Sequence, residues 1–169
     1  ESFTPEKLSD TAENSGIEND ILKVEISQNG EVSIFNKVNQ KEIKGSLVFE
    51  DSGDDGDTYD YSEPRKDWIL YSDKHEIKNI RVQKSDIISI LSYTAILEVP
   101  ADLKEREQHI VSKKMDVNVK ITLEKGSDLL KADVELENTA IEHRVRVLFK
   151  TGIDSEFSIA DQQFGTIKR

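Results

Sequence analysis

An acidic segment that contains two glycines and two tyrosines is the part of this sequence best suited to chemistry. It runs from Leu47 to Pro64 and reads LVFEDSGDDGDTYDYSEP. Gly53 and Gly56 let the backbone turn sharply between carboxylates. The rings of Tyr59 and Tyr61 offer an apolar face together with a hydroxyl, which suits a wet recognition surface. The pattern predicts either a recognition loop or a solvated acidic turn.

The carboxylates of this segment suggest two kinds of site. A glycosidase places two carboxyl groups about 5 to 10 Å apart across a sugar, and Asp51 with Asp60 could offer that spacing, as could any acidic loop. Calcium is the second candidate, with Asp51, Asp55 and Asp57 as its possible ligands. Counted from Asp51, Gly53 and Ser62 occupy the third and twelfth positions of a hand-type calcium loop, so only an irregular calcium site stays open.

Other chemistry is weakly signalled. His75, His109 and His143 are far apart in the chain, none has metal-ligand spacing, and there is no cysteine. We therefore expect surface or strand histidines. Serine-hydrolase elbows, Walker loops and dinucleotide fingerprints do not occur in the sequence.

Composition limits the partners. The chain has 169 residues and a formal net charge of −11, which argues against nucleic acid and against anionic membrane surfaces. No stretch approaches the roughly 20 apolar residues of a membrane span. The first residues show no signal-peptide pattern, and we expect a cytoplasmic location.

The apolar residues alternate with polar ones over most of the chain, which predicts an all-β, antiparallel sandwich. We expect residues 1–19 to be a linker or an arm and residues 20–169 to form one β-sandwich domain. The clearest hairpin turns at Asn29-Gly30. A three-residue loop, 28–30, pairs Ile26 with Val32 and keeps the apolar residues of both strands on one face.

Four more structural features can be predicted. Residues 87–99 are apolar on both sides, which is typical of a central strand, and the sequence around Gly126 predicts a second long hairpin. Residues 101–108 are charged and have no apolar stripe, so we expect an exposed loop. Arg144 and Arg146 flank a valine and should be ordinary cross-strand partners of acidic neighbours.

Several segments resemble the β-sandwich part of bacterial glycoside hydrolase family 38 α-mannosidases. The similar segments, in the same order as in the family, are 18–24, 29–31 with the strand that follows, 47–62, 137–139, 143–149 and 160–169. The resemblance as a whole extends over nearly all of residues 17–169. The stretch from Gly56 to Ser62, GDTYDYS, is the most specific of them.

The resemblance implies a partial supersandwich related to galactose mutarotase, taken from a zinc-dependent retaining α-mannosidase. The zinc ion and the catalytic aspartates would lie in an N-terminal domain, so no catalytic or metal-binding residue is expected in this chain. The chain would scaffold the catalytic and helical domains of the same protein, and these domains would be its partners. It would also lend Tyr59 to the edge of the mannoside site, with Asp57 and Tyr61 as lesser candidates that shape the loop.

Two alternatives stay open. The chain could be a stand-alone carbohydrate-binding or adhesion sandwich, in which the acidic tyrosine loop is the whole site. It could also be a calcium-stabilised structural module.

Overall fold

Antiparallel strands form nearly all the regular structure in the computed structural model, which describes residues 8–11, 16–57 and 59–169. In chain order the strands are β1 (Ser9–Thr11), β2 (Gly16–Glu18), β3 (Leu22–Ile26), β4 (Val32–Asn36), β5 (Lys41–Ser46), β6 (Val48–Gly53), β7 (Leu70–Tyr71), β8 (Lys78–Lys84), β9 (Ile88–Val99), β10 (Lys113–Glu124), β11 (Leu130–Leu136), β12 (His143–Leu148), β13 (Ile159–Gln162) and β14 (Gly165–Lys168). A short helix, α1 (Leu103–Glu107), lies between β9 and β10. The all-β, antiparallel prediction is confirmed.

The strands of the described residues form four sheets. Two are large, with the strand orders β1-β8-β9-β10-β11 and β2-β3-β4-β5; the smaller ones are β12-β6-β7 and the hairpin β13-β14. The inward side chains of the large sheets and of β6 form one hydrophobic core, which includes Val24, Phe49 and Leu91. Alternate residues of a strand point to opposite faces, and this period is what assembles the core.

The first hairpin has the predicted register. Ile26 pairs with Val32 and Val24 pairs with Ile34, so one apolar face runs through both strands. Gly30 has φ +83°, and a Cβ atom added there would lie 2.7 Å from Cγ2 of Ile77. A glycine is therefore required by conformation and by space.

The second hairpin and the central strand are also confirmed. β10 pairs with β9 on one side and with β11 on the other. β9 lies between β8 and β10 at the centre of the largest sheet, and its residues are buried on both faces over much of its length. The polar residues of β10 face outward in strict alternation with buried apolar ones.

Two sequence-based expectations need correction. The acidic segment from Leu47 to Pro64 is not all loop, because β6 occupies Val48–Gly53 and Glu50 and Asp51 therefore belong to a strand. Residues 101–108 are not simply an exposed loop, because they contain α1. The domain division after residue 19 stays a prediction, although β1 and β2 precede it and Ile17 lies in the core.

Candidate functional site

The acidic loop after β6 is held by hydrogen bonds within the loop and by one to Glu142. The Asp54 amide donates to the Glu142 carbonyl at 2.9 Å, and the Asp55 amide donates to the Ser62 carbonyl at 2.8 Å. Oδ1 of Asp54 accepts from the amides of Gly56 and Ser62 at 3.0 and 3.1 Å. A Cβ atom added to Gly56 would lie 1.9 Å from the Asp60 carbonyl oxygen, so the loop closes on itself at a glycine.

Asp57 turns the loop in front of Tyr59. Its Oδ1 accepts from the amides of Tyr59 at 2.8 Å and Asp60 at 3.0 Å. These two bonds favour the charged carboxylate and hold the pKa of Asp57 below its ordinary range. Tyr59 itself is 92% exposed, so its ring and hydroxyl are free to meet another molecule.

Tyr61 and the arginines of β12 lie on the outer side of this region. The guanidinium carbon of Arg144 lies 3.6 Å from the centre of the Tyr61 ring, which is a cation–π contact. Arg146 stands opposite Glu50 in the ladder, and its Nε donates to Oε1 of Glu50 at 2.9 Å. The cross-strand pairing expected of Arg146 is therefore present, whereas Arg144 covers a tyrosine.

Beneath the loop lies a group of ionisable side chains, which we call the Asp51 cluster: Asp51, Asp67, Arg106 and His143. The Asp51 side chain is fully buried, and those of Arg106 and His143 are 1% and 2% exposed. Nη2 of Arg106 donates to Oδ2 of Asp51, and Nδ1 of His143 lies 2.5 Å from Oδ1. Both carboxylate oxygens are thus occupied.

The same cluster joins the two ends of the loop. Oδ1 of Asp67 accepts from the Gly53 amide, before the loop, at 2.9 Å, and lies 3.6 Å from Nη1 of Arg106. Arg106 also donates through Nη1 to the carbonyl of Trp68 at 2.5 Å. The Arg106 guanidinium therefore contacts both the strand before the loop, at Asp51, and the chain after it, at Trp68.

The structure separates the carboxylates that spacing alone had grouped. Asp51 is enclosed by Arg106 and His143, so it is not available to a sugar or to calcium, whereas Asp57 and Asp60 are exposed. Within residues 8–11, 16–57 and 59–169, no group of three or more histidine, aspartate or glutamate side chains is placed to hold a metal ion. Among the same residues, no helix is long and apolar enough to cross a membrane.

Sequence reasoning missed the role of Arg106 and His143. Asp102 caps α1 by accepting from the Glu105 amide at 2.8 Å, and Glu105 accepts from the Ala101 amide at 2.8 Å. The spacing Asp102-x-x-Glu105 is a helix-start signal that could have revealed α1. No local signal marks Arg106 as buried, because a run of charged residues is typical of a solvated segment.

These features define an all-β, antiparallel sandwich domain in which an acidic loop, closed by its own hydrogen bonds, presents a tyrosine to solvent above a buried charge cluster. The family match extends over residues 17–169 and is to the glycosyl hydrolases family 38 C-terminal domain. The chain belongs to this family.

Individual relatives agree with the family. A putative mannosylglycerate hydrolase of Halalkalibacterium halodurans is 30% identical over 150 residues, which cover 79% of this chain and 17% of that protein. An α-mannosidase from Enterococcus faecalis V583 superposes with a TM-score of 0.79 at 24% identity, covering 92% of this chain and 19% of that one. A family 38 glycosyl hydrolase structure from Enterococcus faecalis gives the same TM-score at 23% identity, over 100% and 22% of the two chains. The chain thus spans about a fifth of the length of these relatives.

Proposed function

We propose that this chain is a non-catalytic sandwich domain of a zinc-dependent retaining α-mannosidase, and that its acidic loop forms one wall of the sugar site. In this proposal the domain scaffolds the catalytic and helical domains of the same polypeptide. Tyr59 contacts the mannoside, while Asp57 and Tyr61 keep the loop in shape. The observation that carries the proposal is a 92% exposed tyrosine on a loop whose backbone is closed by its own hydrogen bonds.

The geometry supports this role because a recognition residue needs an accessible side chain on a backbone with a defined conformation. Asp54 and Asp57 supply the hydrogen bonds that close the loop, and neither uses the Tyr59 side chain. A hydroxyl and an aromatic face presented together match the alternating polar and apolar surface of a sugar. The Asp51 cluster fixes the strand from which the loop leaves.

Zinc does not fit the described part of this chain. The described residues contain no three-ligand group, and Asp51, the most enclosed aspartate, is already bound to Arg106 and His143. The metal that family membership implies would bind in the catalytic part of the longer enzyme. The role proposed here for Tyr59 involves the sugar only.

Replacing Tyr59 by phenylalanine in the longer enzyme tests the site. Loss of one hydrogen bond to the sugar should lower kcat/KM about tenfold, since such a bond contributes about 1 to 1.5 kcal/mol. Tyr61→Phe is the matched control, because its ring can stay beneath Arg144, and it should change kcat/KM less. An unchanged kcat/KM in Tyr59→Phe would show that this hydroxyl does not contact the substrate.

The isolated chain provides the second test. We expect no turnover of an aryl α-mannoside, and zinc-stimulated turnover would contradict the proposal. Saturable quenching of the Trp68 fluorescence by mannose would instead favour a stand-alone carbohydrate-binding module. A rise in the melting temperature with calcium would favour the calcium-stabilised module.

A further inference from the structure

The stability of a β-sandwich does not by itself explain the buried ion pairs of the Asp51 cluster. Buried ion pairs are weak stabilisers, because the cost of removing charges from water offsets most of their attraction, and apolar replacements of similar volume are often equally stable. Asp51 nevertheless lies on the same face of β6 as the core residue Phe49. A carboxylate in that place therefore calls for an explanation other than packing.

The hydrogen bonds of His143 show how specific the arrangement is. Nδ1 faces the Asp51 carboxylate at 2.5 Å, and Nε2 faces Oδ1 of Asn138 at 2.9 Å. The same Asn138 atom accepts from the Ala140 amide at 3.0 Å, which identifies it as the amide oxygen. Both ring nitrogens therefore face side-chain oxygens, so the imidazole is held between Asp51 and Asn138.

Arg106 makes the connection from Asp51 to the loop. Its Nη2 donates a hydrogen bond to Asp51, and its Nη1 donates one to the Trp68 carbonyl. The neighbouring Asp67 carboxylate accepts a hydrogen bond from the Gly53 amide. A Cβ atom added to Gly53 would lie 2.6 Å from Cγ of Pro64 and 3.0 Å from Cδ of Arg106, so the two ends of the loop meet at this side chain. The cluster thus sets where the loop begins and where it ends.

We propose that Asp51 is a positioning residue, which acts through Arg106, Asp67 and His143 to fix both ends of the acidic loop and thereby the place at which Tyr59 is presented. This inference rests on the proposed function only in its last step, the contact of Tyr59 with the sugar. The fixing of the loop ends can be measured without any substrate.

The test uses the full-length enzyme with Asp51→Asn, and Glu50→Gln is the matched control. Glu50 is the preceding residue of β6, but its partner Arg146 lies at the surface. Native-state trypsin cleavage after Arg65 or Lys66, located by mass spectrometry, reports the end of the loop. We expect cleavage to accelerate about tenfold in Asp51→Asn and to change less than about twofold in Glu50→Gln.

A double-mutant cycle separates positioning from general destabilisation. Asp51→Asn should lower kcat/KM about tenfold, and adding it to Tyr59→Phe should cause little further loss, because the two changes remove the same contact. If the two losses multiply in the double variant, Asp51 does not act through Tyr59 and the inference is wrong. If trypsin cleavage is unchanged in Asp51→Asn, the inference is also wrong.

The outcomes distinguish the two proposals. If Tyr59→Phe alone leaves kcat/KM unchanged, the proposed sugar contact fails, and the cleavage rates still decide whether the cluster fixes the loop. If Asp51→Asn does not fold, Asp67→Ala replaces it, since it removes the acceptor of the Gly53 amide and leaves the Asp51–Arg106 pair in place. Cleavage should accelerate in Asp67→Ala and return to the wild-type rate in Asp67→Asn, which keeps the acceptor oxygen. Equal cleavage in both Asp67 variants would overturn the inference.

Discussion

Strands β6 and β10 are both extended, but they differ in whether their polar side chains are buried or exposed. β10 alternates buried apolar residues with exposed polar ones, and its charged side chains are in water. β6 buries all six of its residues, and three of them, Glu50, Asp51 and Ser52, are polar. A strand that buries carboxylates in this way must compensate their charge by contacts from elsewhere in the chain.

The difference lies in what covers the second face of each strand. The outer face of β10 is solvated, so the polar side chains on that face are hydrated and need no buried partner from elsewhere in the chain. β6 is covered on both faces, and its carboxylates find Arg146 on one side and Arg106 with His143 on the other. The strand with buried charge is the one from which the acidic loop leaves, so buried polarity marks the strand next to the candidate site.

The largest effect should come from removing the charge that compensates Asp51. Arg106→Met keeps an aliphatic stem but leaves a buried carboxylate short of a partner, and we expect a loss of about 3 to 5 kcal/mol in the free energy of unfolding. Lys104→Met on the exposed side of α1 is the control and should change stability by less than about 0.5 kcal/mol. Urea unfolding measures both. A loss below about 1 kcal/mol in Arg106→Met would remove the distinction between β6 and β10.

A smaller effect is expected in β10, where packing alone is at stake. Ile121 is fully buried, and Ile121→Ala should cost about 2 to 4 kcal/mol through lost contacts and a residual cavity. Lys120→Ala, one residue earlier and exposed, should be nearly neutral. The same unfolding experiment decides. Similar losses at both positions would mean that β10 does not alternate as described.

The smallest effect belongs to an exposed carboxylate of the loop. Hydrogen bonds from the amides of Tyr59 and Asp60 lower the pKa of Asp57. These bonds are therefore fully formed at pH values above the ordinary aspartate pKa of about 3.9. They are lost only as the pH falls through the lowered pKa of the folded state. In an NMR titration the amide shifts of Tyr59 and Asp60 should therefore move only below the ordinary aspartate range. The same shifts should stay flat at this step in Asp57→Asn. Movement centred on the ordinary value would show that the loop is not held by Asp57.

Much of the fold could be predicted because its determinants are local. The three-residue loop at Gly30, the pairing of Ile26 with Val32 and the central position of β9 all follow from the period of apolar residues and from turn chemistry. The family resemblance rested on several segments, of which the one around Tyr59 is the most specific, and the family match confirms it. The roles of Tyr59, Asp57 and Tyr61 stay predictions.

The Asp51 cluster could not be predicted, because its members are distant in sequence and lie on different elements. Asp51 was grouped with the loop aspartates, His143 was expected on the surface or on a strand, and Arg106 lay in a segment expected to be an exposed loop. Their proximity depends on the pairing of β6 with β12 and on the position of α1, which are long-range contacts. Charged side chains carry no sequence signal that they are buried.

The sequence by itself determined the antiparallel strands, the first hairpin and the family, since alternation, turn residues and a specific motif act over a few neighbouring residues. Only the tertiary structure decided which aspartate is enclosed and which faces solvent. Asp51 and Asp57 have the same side chain and lie six positions apart, but one is surrounded by Arg106 and His143 while the other accepts amides of an exposed turn. Burial and partner choice are properties of packed elements, and this is the physical reason why the chemistry of these two carboxylates differs.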